Sequence, residues 1–108
     1  MTHSIERLEV HVLGESDWIG IDTLCRLCRL DLAAVQELAE LGWLAPRGYD
    51  PAQWQLPAAS LPRLRVLGRL MHDLGVNLSG AVLAVELLER QRSLEQRLRE
   101  LEHLARQL

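Results

Sequence analysis

A mainly α-helical fold is what this sequence predicts: a small winged helix-turn-helix domain over residues 1–75, followed by a long coiled-coil helix over residues 76–108. Three observations carry that reading. Two short amphipathic segments, Ile21 to Cys28 and Asp31 to Leu41, are separated by only Arg29 and Leu30. An aromatic and proline-punctuated stretch from Gly42 to Leu56 follows them, as a wing does. After Gly80 there is neither Pro nor Gly, and leucines recur every seven residues at Leu87, Leu94, Leu101 and Leu108.

Composition sets the frame. With 108 residues, of which 48% are hydrophobic, the chain can build one modest core and no second independent one. Its formal net charge is −3, and all of its basic residues are arginine. No apolar run approaches the roughly 20 residues that span a bilayer, and Met1 to Glu6 lacks the basic-then-apolar order of a secretory signal. A cytoplasmic protein without membrane contact is expected.

The elements follow in order. Ile5 to Leu13 alternate, with Leu8, Val10 and Val12 on one side and Glu9 and His11 on the other, which predicts a strand or arm; Gly14 to Asp17 then turn the chain. In the first helix, Ile21, Leu24, Cys25 and Cys28 fall at i, i+3, i+4 and i+7 and predict the inner stripe. The lone Cys-x-x-Cys has neither the four ligands of a zinc site nor the strand-then-helix setting of a redox motif, so both cysteines are read as small apolar core residues. The second helix is bounded by Asp31 as N-cap, by Leu30 and Val35 as a hydrophobic staple, and by Gly42 beyond its end. Trp43-Leu44-Ala45-Pro46, a Gly-Tyr-Asp-Pro turn and Trp54-Gln55-Leu56 suggest a small hairpin across which Trp43 and Trp54 pack. A third helix carries Leu61, Leu64, Leu67, Met71 and Leu74, with Pro57 or Pro62 in its first turn. Gly75 breaks it and Asn77 caps the last helix, about 31 residues and roughly 46 Å long.

That last helix is too long for the domain to cover. Leu78, Ala81, Val82 and Val85 are placed to pack on the domain, which leaves Leu83, Leu87 and Leu88. Beyond them Leu87, Leu94, Leu98 and Leu101 form a coiled-coil seam, with Arg90 and Arg97 at g and Glu95 and Glu102 at e, and a homodimer is expected. Glu86 with Arg90, Glu95 with Arg99 and Glu102 with Arg106 are also ordinary i,i+4 pairs on one solvated helix.

Function is read from what the second helix lacks. It occupies the place of a recognition helix, yet Asp31 to Leu41 carries Asp31, Glu37 and Glu40 and no base. A helix entering the major groove must approach phosphates and present donors to base edges, so specific DNA binding is not expected. Recognition of another protein is. Asp31, Glu37 and Glu40 are the candidate contacts, and Trp43 and Leu44 the candidate apolar anchors. No nucleophile-base arrangement, carboxylate pair in an apolar setting or Gly-rich phosphate loop points to an enzyme; no metal site and no cofactor are expected.

The order of arm, helix-turn-helix, wing, further helix and long coiled coil resembles MerR-type regulators, and within them the chaperone modulator CbpM family. The resemblance rests on Leu24-Cys25-Arg26-Leu27-Cys28, Glu40-Leu41-Gly42-Trp43-Leu44-Ala45-Pro46-Arg47-Gly48, Trp54-Gln55-Leu56 and His72-Asp73-Leu74-Gly75-Val76-Asn77-Leu78-Ser79-Gly80-Ala81, and covers nearly everything beyond residue 18. It implies an inhibitor that binds the J-domain of a DnaJ-like co-chaperone, CbpA, and blocks its work with DnaK. A J-domain engages DnaK through a His-Pro-Asp loop beside a basic helix, a surface that the acids of the second helix complement. The alternative is a MerR-type transcription regulator in which Arg26, Arg29 and Arg47 touch phosphates.

Overall fold

The structure is a computed structural model, described here for residues 17–108. The strand expected at Ile5 to Leu13 lies outside the described residues. Strand β1 (Trp18–Gly20) leads directly into helix α1 (Ile21–Cys28), whose first turn carries Asp22, a charge that suits the positive end of the helix dipole. The buried stripe of α1 is Ile21, Leu24, Leu27 and Cys28. Cys25, expected on that stripe, sits half-buried at its edge and Leu27 takes the inner place, because the helix packs against several elements at once and needs a wider apolar face. Arg29 closes α1 in the left-handed region (φ 57°), and the Leu30 N–H donates to the Cys25 carbonyl at 3.0 Å.

Helix α2 (Leu32–Glu40) begins where the sequence predicts, with the Asp31 carboxylate accepting from the Ala34 N–H at 2.8 Å. Leu30 and Val35, the expected staple, are both buried in the core. Its other end is a Schellman motif. Gly42 adopts φ 81°, its N–H donates to the Ala39 carbonyl at 3.1 Å, and the Trp43 N–H reaches back to Leu38 at 2.9 Å. The motif throws Trp43 across the end of the helix and turns Leu44 into the core, where it is 7% exposed.

The wing is smaller than a hairpin of two full strands. Arg47 and Gln55 form a single bridge with reciprocal backbone hydrogen bonds of 2.8 and 2.9 Å. Between them Asp50 caps the 3-10 turn Pro51–Gln53. Strand β2 (Gln55–Pro57) pairs antiparallel with β1, in the register Trp18 to Pro57, Ile19 to Leu56 and Gly20 to Gln55. Trp54 packs half-buried on the core, and its carbonyl accepts from the Ile21 N–H at 3.0 Å.

Helix α3 (Leu61–Leu74) has Pro62, not Pro57, in its first turn. It crosses α1 at Gly68, where a Cβ would lie 1.9 Å from the Cys28 carbonyl oxygen. His72 adds a tie by donating from Nε2 to the Arg29 carbonyl at 2.6 Å. Leu61, Leu64 and Leu67 are buried and Met71 partly so, but Leu74, expected on the same stripe, is exposed because it lies past the last contact of α3 with the core. Helix α4 (Leu78–Gln107) starts at Asn77, whose Oδ1 accepts from the Gly80 N–H at 2.8 Å, and at 30 residues is about 45 Å long. Ala81 and Val85 are buried against α3 and the domain, so the first two turns of α4 complete the core; from Glu86 onward the helix buries nothing.

Candidate functional site

The acids of α2 converge on one feature. Asp31, Glu37 and Glu40 line a shallow groove of about 510 Å³ together with Gln36, Ala33 and Leu78, the first residue of α4. The helix periodicity explains the placement. Val35 and Leu38 face inward, so Glu37 and Glu40, one turn apart, are left on the outer face with the small Ala33 beneath them. Asp31 is held in place by its capping bond, and it and Asp22 lie near Cys25. Partial burial first, then the charges of these two acids, raise the Cys25 thiol above its ordinary range.

The position of Glu37 and Glu40 is electrostatically unfavourable for the helix itself. They occupy the last turn of α2, which contains no base, and carboxylates there oppose the negative end of the macrodipole at roughly 0.3–1 kcal/mol each. Asp31 at the N-terminus is explained by capping; Glu37 and Glu40 are not explained by the fold.

Trp43 is half-buried and engaged by two side chains. Its Nε1–H donates to Glu86 of α4 at 2.9 Å, and the Arg63 guanidinium of α3 stacks on its ring at 3.5 Å. Arg63 in turn donates to both Glu89 oxygens at 2.9 Å. Trp43 thus joins the end of α2 to both following helices. Leu44 lies in the core, so the structure leaves it little surface to offer a partner. This corrects the expectation of Leu44 as an anchor, because the turn that follows Gly42 directs the side chain inward. Neither Leu78 in the groove nor the Trp43–Arg63–Glu86–Glu89 set is signalled by the sequence, since each contact joins elements far apart in the chain.

The second candidate surface is α4. Leu87, Leu94, Leu98 and Leu101 are all more than half exposed on this chain, and Leu87, Leu94 and Leu98 line a depression of about 360 Å³ with Arg90, Gln91 and Glu95. The polar face is laced by local contacts, such as Gln91 to Glu95 at 3.2 Å and Arg106 to Glu102 at 3.8 Å. The two cysteines are free. Cys28 is buried, and burial, opposed by the charge of Arg65, pushes its thiol up to about 12. Arg47 lies over the Trp18 ring at 4.2 Å and donates to Gln55 Oε1 at 2.7 Å. Among the described residues no group of three His, Cys, Asp or Glu is placed to hold a metal, and no helix is long and apolar enough to cross a membrane.

A capped helix pair, a bridge-closed wing and a long terminal helix define the class of MerR-type helix-turn-helix proteins, and the model of the MerR HTH family regulatory proteins matches residues 19–103. Within that class the chain is 30% identical over 96 residues to the chaperone modulatory protein CbpM of Coxiella burnetii strain Dugway 5J108-111, covering 89% of this chain and 91% of the relative. The proteins of the same name from strains RSA 331 / Henzerling II and CbuG_Q212 match to the same extent. The chain belongs to the CbpM family. No solved structure matches it significantly.

Proposed function

We propose that this protein modulates a chaperone by binding the J-domain of a DnaJ-like co-chaperone of the CbpA type, and that it thereby inhibits the co-chaperone's work with DnaK in the cytoplasm. The observation that carries the reading is the acidic groove of Asp31, Glu37 and Glu40, two of whose carboxylates sit where the helix dipole disfavours them. Membership of the CbpM family supports a chaperone partner, and a J-domain presents a basic helix to match the groove. Charge would act mainly on encounter rate and orientation, since exposed ion pairs contribute ~1 kcal/mol or less, with Leu78 and the neighbouring exposed Leu32 and Leu41 supplying apolar contact. The exposed leucines of α4 hold two copies together in the same proposal, as a homodimer. Arg47, the third phosphate contact of a DNA-binding reading, is already occupied by Trp18 and Gln55.

The test is an ATPase assay with DnaK and its CbpA-type co-chaperone. Adding the protein should suppress the stimulation of ATP hydrolysis in proportion to the co-chaperone present, and leave the basal DnaK rate unchanged. Undiminished stimulation at a several-fold excess of the protein would rule the proposal out.

A further inference from the structure

We propose that the groove between α1 and α3, remote in character from the acidic groove on α2, docks a carboxylate-rich polypeptide segment. It measures about 870 Å³, against about 510 Å³ for the acidic groove, and its lining includes Arg29, Arg65 and Arg69, with Arg26 beside them, against one carboxylate among the described residues, that of Asp73. The fold builds this concentration of charge. Gly68 brings the α3 backbone against the Cys28 carbonyl, so Arg65 and Arg69, one turn apart on α3, face the arginines at the end of α1. Arg65 is close enough to act on the Cys28 thiol at the floor of the groove.

Two further facts bear on the groove arginines other than Arg26, which has its own partner. Arg63, on another side of α3, is fully occupied by Glu89 and Trp43, whereas Arg29, Arg65 and Arg69 form no ion pair among the described residues. Arg29 also sits at φ 57°, in a backbone region that favours glycine or asparagine, and is held there by the His72 bond to its carbonyl. The turn geometry does not call for arginine.

Guanidinium forks match carboxylates in planar two-point contacts, and the half-buried Val66 beside them offers purchase to an apolar side chain. A polyanion extending beyond the groove would meet the field of a chain with net charge −3, whereas a short acidic segment confined to the groove would not. The inference is independent of the J-domain proposal, which uses other residues.

The experiment is fluorescence anisotropy of the full-length protein with a short labelled peptide of repeating Glu-Glu-Leu, alongside the same peptide with Gln for Glu and an oligothymidylate of equal length. The Glu peptide should bind at low salt and the Gln peptide should not. Replacing the exposed pair Arg29→Gln and Arg69→Gln should weaken binding about fivefold to tenfold, and Arg69→Glu alone should weaken it as well. Glu37→Gln with Glu40→Gln should not reduce it. Absence of peptide binding, equal binding by the Gln peptide, unchanged affinity in both arginine variants, or tighter binding of the oligothymidylate would each overturn the assignment.

Discussion

Reversing Glu37 and Glu40 to arginine should make the protein more stable and a poorer binder at once. Both side chains are exposed in the last turn of α2, where no base offsets them. Replacing two acids by two cations at a helix C-terminus changes the dipole interaction from unfavourable to favourable, a gain of about 1 kcal/mol or more in total. For a domain of this size that raises the melting temperature by roughly 4–8 °C per kcal/mol. On the binding side each reversal exchanges an attraction to a basic J-domain helix for a repulsion, so the pair should weaken the complex by about 1–3 kcal/mol, or roughly 5-fold to 150-fold. The loss should appear chiefly as slower association, because exposed charges steer encounter more than they hold a complex. Stopped-flow association with the isolated J-domain, repeated from low to physiological salt, reads this directly: the wild-type rate should fall as salt rises, and the variant's rate should respond in the opposite sense or not at all. A variant that associates and inhibits like the wild type, with the same salt dependence, would falsify the acidic groove as the interface. Since the same variant is expected to melt higher, weakened binding could not be assigned to a damaged fold.

Three other outcomes are expected. Leu94→Glu places a carboxylate in the seam of α4, costing several kcal/mol in a paired state, so sedimentation should show separated monomers; a wild-type protein that is monomeric at tens of micromolar would refute the pairing itself. Cys28 should label slowly in the folded protein and quickly in denaturant. Because its thiol titrates at about 12 when folded, unfolded chains lose this proton first as pH rises above 9, and unfolding free energy should fall by up to about 1.4 kcal/mol per pH unit between 9 and 12; Cys28→Ala should remove that component of the alkaline loss in denaturant titrations. Gly68→Ala should destabilise the domain by about 1–3 kcal/mol or more in urea unfolding, since its methyl meets a backbone carbonyl that cannot rotate away.

What the sequence disclosed and what it concealed divide along one physical line. The bounds of α1 and α2 were readable because their signals are local: the apolar stripe, the Asp31 cap and the Gly42 turn all lie within the segments they specify. The acids of the groove were readable for the same reason. Strand β1 was not, because three residues form a strand only through their register with β2, far along the chain. Leu44 and Leu74 were misplaced in opposite directions. An apolar residue after a helix carries no mark of whether the turn aims it inward, and one at the end of a helix carries no mark of where the neighbouring element stops. Leu78 entered the groove, and Arg63 the tryptophan cluster, through tertiary contacts that no spacing rule encodes.

The cluster of Trp43, Arg63, Glu86 and Glu89 has a mechanical consequence. It braces α4 against the domain at the point where the helix leaves the core, just past the last buried side chain at Val85. A helix of this length fixed at its root is a stiff arm, and its leucines therefore point in a direction dictated by the domain and not by thermal wandering about Gly75. Anything that grips the arm inherits a fixed bearing relative to the acidic groove, which shares Leu78 with the base of that arm. Loosening the brace, as Arg63→Ala would, leaves both surfaces intact and erases only the angle between them.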